Sequence, residues 1–100
     1  IEHMNFFRWE ASKNEWLKAN RDVCFEQIVV LMEQASLLDV IDNPNQDKYP
    51  GQKIAVARIN DYVYLVPYEQ QGEEIELKTI IPSRKATRQY LGDRYEKNNS

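Results

Sequence analysis

The chain has 100 residues, of which 42% are hydrophobic and 29% charged, and its formal net charge is −3. This length gives room for one domain with one modest core, and the composition is typical of a soluble globular protein rather than a disordered one. The longest apolar run, Ile28–Met32, is too short to cross a bilayer, and a single cysteine excludes an internal disulfide.

The N-terminal third predicts a strand followed by a helix. The aromatic run Asn5–Trp9 favours a short strand. Residues 10–20 lack glycine and proline and place apolar side chains at helical spacing. The helix begins either with Ser12 as its cap or, alternatively, at Trp9 or Glu10.

Residues 23–34 predict a second helix, preceded by Asp22. Its apolar stripe is the widest in the chain, which is typical of a largely buried helix, so we expect Ile28 to be nearly buried. Trp9 and Trp16 are likewise interpreted as core residues rather than site residues.

The middle of the chain predicts four strands. Asn60–Asp61 indicates a tight hairpin between two of them, and Pro67 places its strand at an edge or at a kink. Pro82 is expected to end the last strand. The predicted strands cover residues 37–42, 53–59, 62–69 and 74–81.

Ser83 predicts the cap of a final helix over residues 84–97, with Ala86, Tyr90 and Leu91 facing inward. The order β-α-α-β-β-β-β-α predicts an α+β domain over residues 4–97. We expect an antiparallel sheet packed on one face by the two N-terminal helices and the C-terminal helix. Residues 98–100 are expected to be a frayed tail.

Charge is distributed unevenly. Residues 84–97 carry five basic and two acidic side chains, a net +3, whereas the rest of the chain carries −6. The basic segment is either an ordinary solvated helix face or an arm that binds phosphate or a partner.

The only histidine, His3, precedes Met4, and we interpret residues 1–3 as a cloning scar. The remaining chain then has no histidine for a catalytic triad or a metal site, so neither a metal nor a cofactor is expected. The single cysteine and the lack of a secretory signal favour a cytoplasmic location without membrane contact.

Several short motifs, in this order, resemble the BrnT family of toxins from bacterial type II toxin–antitoxin pairs, which have a RelE-like ribonuclease fold. Gln71 stands at one position where the family tends to have arginine, and Lys78 or Thr79 stands at a second. The motifs are Trp9–Glu10, Lys13, Phe25–Glu26, Tyr49–Pro50–Gly51 and Ile80–Ala86.

The resemblance implies a metal-independent ribonuclease that cleaves RNA, arrests translation and growth, and is neutralised by a cognate antitoxin. That antitoxin is expected to be of the ribbon-helix-helix type and to bring the pair to operator DNA. Two alternatives stay open: a non-catalytic binding module of the same fold with a degenerate site, and an inhibitor of another target such as gyrase.

Without histidine, such a ribonuclease resembles RelE-like toxins that use Lys, Arg, Tyr and Glu on pre-oriented RNA. Arg84 is the strongest candidate, because a cation in the first turn of a helix opposes the helix dipole and suggests a task. The alternative role of Arg84 is a structural ion pair. The alternative for Lys13 is that it is an ordinary solvated lysine of the helix. The candidate catalytic residues are Arg84, Lys13 and Lys78, and the candidate RNA-binding residues are Lys85, Arg88, Arg58 and Tyr68.

Overall fold

The computed structural model describes residues 5–92, which form an α+β fold with three helices and six strands. The helices are α1 (Ala11–Arg21), α2 (Phe25–Glu33) and α3 (Arg84–Leu91). The strands are β1 (Phe6–Arg8), β2 (Asp39–Asp42), β3 (Lys53–Ile59), β4 (Tyr62–Gln71), β5 (Glu74–Leu77) and β6 (Ile81–Pro82). The interpreted scar at 1–3, the predicted helix beyond Gly92 and the predicted tail lie outside the described residues.

The strands form one mixed sheet in the order β1-β5-β4-β3-β2, and β6 pairs with β4 beyond the end of β5. Four pairings are antiparallel, and the two-residue turn Asn60–Asp61 joins β3 to β4 as predicted. The β1–β5 pair is parallel, so the expectation of a wholly antiparallel sheet is wrong at this edge. The chain between these two strands is long enough for the crossover that a parallel pair requires.

The helices cover both faces of the sheet, which corrects the expectation that all three share one face. On one face, which we name the closed face, Leu17, Phe25 and Ile28 of α1 and α2 are fully buried in a cluster with β3, β4 and β5. On the opposite face, named the open face, Ala86 of α3 packs against Val56 and Val63. Because strand side chains alternate, these two valines need a cover of their own.

The predicted strand over residues 74–81 is divided into β5 and β6. Leu77 and Ile80 are both buried, and this three-residue spacing breaks the two-residue alternation of a continuous strand. Pro67 of the neighbouring strand β4 explains the break, because it lies inside the sheet and has no N–H to donate to the adjacent strand. Its carbonyl accepts from the Lys78 N–H at 2.9 Å. Pro82 pairs with Tyr64 and is the last residue of β6, so the strand ends at this proline.

A buried asparagine joins α1 to α2. The Asn14 Oδ1 accepts from the Phe25 N–H at 2.8 Å, and its Nδ2 donates to the Glu26 carboxylate at 2.8 Å. This hydrogen bond lowers the pKa of Glu26. Asp22, with a φ of 56°, ends α1 rather than starting α2, so the second helix begins two residues later than predicted.

Hydrogen bonds also attach α3 to the sheet. The Ser83 Oγ accepts from the Ala86 N–H at 3.0 Å, which confirms the predicted cap. The fully buried Thr87 accepts from the Val63 N–H at 2.9 Å and donates to the Ser83 carbonyl at 2.7 Å. At the other end, the Tyr90 hydroxyl donates to Asp39 at 2.8 Å, so α3 crosses the sheet towards β2.

Two predictions about apolar residues have different outcomes. Ile28 is 0% exposed, which confirms α2 as a central core element. Trp9 packs against the core, with its ring centroid 5.6 Å from that of Phe25. Trp16 is 43% exposed, so its interpretation as a core residue is wrong, and Leu17 fills the core beside it. Within residues 5–92, we find no helix with the length and apolar character that a membrane crossing requires.

Candidate functional site

A cavity of about 540 Å³ lies on the open face of the sheet. Within residues 5–92, α3 packs on Val56 and Val63, and the cavity lies beside this contact. Ile54, Leu65 and Pro67 form part of its lining. An apolar depression of this size with a few polar groups at its rim is typical of a binding site.

One wall of the cavity is the loop between β2 and β3. Across the base of the loop, the buried Asn43 Nδ2 donates to the Gln52 Oε1 at 2.8 Å, and the Asn43 N–H donates to the Gln52 carbonyl at 2.9 Å. Gln46 fills the loop and accepts from the Gly51 N–H at 2.9 Å. These amides hold the segment that presents Tyr49, which lines the cavity and is 38% exposed.

The other wall comes from the break between β5 and β6, where Lys78, Thr79 and Ile81 line the cavity. The Lys78 Nζ lies 3.6 Å from a Glu69 carboxylate oxygen and 3.4 Å from one of Glu76. Glu69 lines the same cavity, so this break brings an ammonium group and a carboxylate together at its rim.

Arg8 extends this charge cluster, with its guanidinium 3.2 Å from Glu76 and 2.9 Å from Glu74. Burial raises the pKa of Glu76, but hydrogen bonds and charge from Lys78 and Arg8 outweigh that effect and hold the pKa below its usual value. Glu76 is therefore ionised at neutral pH and neutralises part of the positive charge of Lys78.

The structure does not gather the other candidate residues into this cavity. Arg84 and Lys85 are exposed in the first turn of α3, and Arg88 is exposed one turn later. Within residues 5–92, Arg84 has no ion pair, so the structural ion pair that was its alternative is absent there.

Lys13 and Arg58 have local partners. The Lys13 Nζ lies 4.8 Å from the centroid of the Trp16 ring, on the helix that covers the opposite face from α3. Arg58 pairs with Asp61 at 2.8 Å and donates to the Asn60 carbonyl at 2.9 Å, bracing the hairpin turn.

Tyr68 is 6% exposed in the core of the closed face, where burial raises the pKa of its hydroxyl. Tyr68 also lines a smaller cavity of about 290 Å³ on this face, together with Met32, Leu37 and Ile75. Its expected RNA contact stays a prediction.

Two cavity residues, Tyr49 and Glu69, are absent from the predicted site. The sequence carried a signal for each of them. Tyr49 belongs to the Tyr49–Pro50–Gly51 motif, and Glu69 is a carboxylate at the end of a predicted strand, where it can pair with a cation across the sheet.

Among residues 5–92, no cluster of three or more His, Cys, Asp or Glu side chains is arranged to hold a metal ion.

Comparisons of the chain with protein-family models, curated proteins and solved structures found no match.

Proposed function

We propose that this protein is the toxin of a bacterial type II toxin–antitoxin pair, with a RelE/BrnT-like fold, and that it cleaves RNA in the cytoplasm without a metal ion. One observation carries the proposal beyond the sequence resemblance. The cavity holds Lys78, Glu69 and Tyr49, which are residue types that RelE-like toxins use in place of histidine.

The proposed reaction moves two protons, one from the RNA to the protein and one from the protein to the RNA. Glu69 accepts the proton of a ribose 2′-hydroxyl, whose oxygen attacks the neighbouring phosphorus. The bond from phosphorus to the 5′ oxygen breaks, and Tyr49 donates a proton to that leaving oxygen. The products are a 2′,3′-cyclic phosphate and a 5′-hydroxyl end.

Cations stabilise the charge that develops on the phosphate oxygens during this reaction. Lys78 is the cation of the cavity, beside the proposed base. Arg84 begins α3 just after β6, whose Ile81 lines the cavity, and its guanidinium suits a bidentate phosphate contact. Lys85 and Arg88 extend this basic surface along α3.

The exposed basic side of α3 is also the proposed docking surface for the antitoxin. An acidic or amphipathic arm that covers Arg84, Lys85 and Arg88 would block phosphate access, so inhibition would be by occlusion. Operator DNA would bind through the ribbon-helix-helix half of the antitoxin, because the overall acidic toxin is poorly suited to duplex DNA.

A cleavage assay with two lysine variants tests the catalytic proposal. Lys78→Ala should lower the rate of RNA cleavage about 100-fold, the size of effect that a charge-stabilising or proton-transferring group has. Lys53→Ala is the matched control, since Lys53 is an exposed β3 lysine paired with Asp42 at 2.9 Å. Its cleavage rate should stay within about twofold, because exposed ion pairs contribute little.

Expression with and without the neighbouring reading frame tests the biological role. Growth arrest with RNA fragments, relieved by the neighbour, is the expected result. Intact RNA in the presence of growth arrest would overturn the ribonuclease proposal and favour an inhibitor of another target such as gyrase.

A specific observation favours a non-catalytic binding module as the second candidate. Lys78 is shared between two carboxylates, and Gln71 stands at a position where the family tends to have arginine. The net charge near the cavity rim is thus less positive than phosphate chemistry prefers. Retained RNA or antitoxin binding with no toxicity and no cleavage would support this alternative.

A further inference from the structure

An exposed tryptophan on α1 lies between two cations. The Lys13 Nζ and the Arg21 Cζ each lie 4.8 Å from the centroid of the Trp16 ring, which is itself 43% exposed. Within residues 5–92, neither cation has a carboxylate at ion-pair distance, whereas the neighbouring Lys18 pairs with Glu15 at 3.0 Å. This cluster of Lys13, Trp16 and Arg21, named the tryptophan patch, therefore combines an aromatic surface with two uncompensated positive charges.

Arg21 connects the tryptophan patch to the cavity. Its Nη1 donates to the Ile80 carbonyl at 2.7 Å, and the residues on both sides of Ile80, namely Thr79 and Ile81, line the cavity. The patch and the cavity thus meet at the break between β5 and β6, although they lie on different faces of the sheet.

We propose that the tryptophan patch binds single-stranded RNA, by stacking a base on Trp16 and pairing Lys13 and Arg21 with the adjoining phosphates. This inference rests on the proposed function and adds a second contact surface to it. The strand would run from the cavity, over the segment around Ile80, and onto α1.

The chemistry of the patch favours this ligand over a duplex. Aromatic side chains bind unpaired bases through their faces, and nearby cations follow the backbone, whereas the bases of a duplex are already stacked. The long stem of Lys13 lets its ammonium group move from the indole ring to a phosphate when a base arrives, whereas Arg21 keeps its hydrogen bond to the Ile80 carbonyl and presents its remaining N–H groups to a phosphate.

Binding is measured by fluorescence anisotropy with a labelled single-stranded 2′-O-methyl oligonucleotide, which cannot be cleaved through its 2′ oxygen. Trp16→Leu should raise the dissociation constant about tenfold, within the range for the loss of one stacked base, and Trp16→Phe should recover part of the affinity. Phe6→Leu is the matched control, because Phe6 is an aromatic residue on β1 that is 60% exposed.

Charge is tested on the same helix. Lys13→Gln should weaken binding and reduce the slope of log affinity against log salt by about 0.7, the value for one phosphate contact on a single strand. Lys18→Gln should leave that slope unchanged, because Lys18 is already paired with Glu15. A duplex of the same length should bind with an affinity that none of these variants changes.

The outcomes separate this inference from the proposed function. If RNA is cleaved normally but Trp16→Leu binds the oligonucleotide as tightly as the wild type, the patch proposal is overturned alone. If binding depends on Trp16 and RNA is never cleaved, the patch proposal stands and the ribonuclease proposal fails. If Trp16→Leu weakens only the antitoxin complex, the patch is a protein contact and the RNA inference is lost.

Discussion

The two faces of the sheet are covered to different extents. On the closed face, α1 and α2 bury Leu17, Phe25 and Ile28 completely. On the open face, α3 makes a much smaller cluster through Ala86 and leaves a cavity of about 540 Å³ beside it. The same strands serve both faces, so the difference comes from the helices and loops that the chain supplies to each.

The closed face therefore holds the larger buried core, whereas the open face holds the cavity that we propose as the catalytic site. Ala55 and Ala57 of β3 point into the closed face, where their small side chains let the helices approach the sheet. On the open face, Glu69, Lys78 and Thr79 stand at the cavity rim instead of a packed helix. Four experiments test this difference between the two faces.

Truncation of the closed-face core should have the largest effect. We expect Ile28→Ala to lower the free energy of unfolding by about 2–4 kcal/mol, because it leaves a cavity among fully buried side chains. Ile81→Ala on the open face, where Ile81 is 40% exposed, should cost about 1 kcal/mol or less. Urea titration measures both values, and a change below about 0.5 kcal/mol for Ile28→Ala would contradict its placement.

Loss of the Asn14 side chain comes next. Asn14→Ala should cost about 2–3 kcal/mol, since it leaves the buried Phe25 N–H without its acceptor and removes the donor to Glu26. Asn20→Ala is the control, because the exposed Asn20 only donates to the Trp16 carbonyl at the surface. Equal urea midpoints for the two variants would show that Asn14 does not hold the α1–α2 junction.

Loss of the Thr87 hydroxyl should loosen α3 selectively. Thr87→Val keeps the shape of the side chain but removes the acceptor of the Val63 N–H, at a cost of about 1–2 kcal/mol. Hydrogen exchange should accelerate in α3 while the amides of α2 keep their protection, because the open face unfolds more easily. Thr79→Val, at the cavity wall, should leave the exchange rates of both helices unchanged. Equal acceleration of exchange in α2 and α3 on Thr87→Val would argue against separate local stability of the two helices.

The smallest effect is a pH dependence on the closed face. The hydrogen bond from Asn14 lowers the folded-state pKa of Glu26 below the ordinary value of 4.5, so its stabilising contribution is present above that value. The contribution is lost as the pH falls through the lower folded-state pKa. Glu26→Gln should therefore lose less stability on acidification than the wild type does.

Urea midpoints at neutral pH and below pH 4.5 measure this difference. Glu76→Gln tests the open face in the same way, since Lys78 and Arg8 hold the pKa of Glu76 low. Parallel stability curves for the wild type and Glu26→Gln would contradict the role of the Asn14 hydrogen bond.

Local signals in the sequence predicted much of the secondary structure. β3 occupies Lys53–Ile59 as predicted, and the Asn60–Asp61 turn and the Ser83 cap are both present. Each depends on a few neighbouring residues with a preferred backbone geometry. The break after Leu77 was missed, because an alternating pattern continues through residues that the fold takes out of the strand.

The candidate site was less predictable than the elements that carry it. Lys78 lies at the cavity, but Tyr68 is buried and Arg58 braces a turn. The position of a residue in a strand does not show which face of the sheet a helix will cover. Residue type alone therefore could not distinguish a cavity residue from a buried one or from one that braces a turn. Trp16 shows the same limit, since its helical spacing fits the core stripe but Leu17 occupies that place.

Residues close together in the chain fix the types of most elements, the hairpin and the α3 cap, so these features could be read from the sequence, as could the mainly acidic charge outside the last segment. The parallel pairing of β1 with β5, the position of α3 on the opposite face from α1 and α2, and the contact of Lys78 with Glu69 at a cavity are visible only in the folded structure. These contacts join residues distant in sequence, and they are selected by which arrangement of the whole chain buries its apolar side chains best.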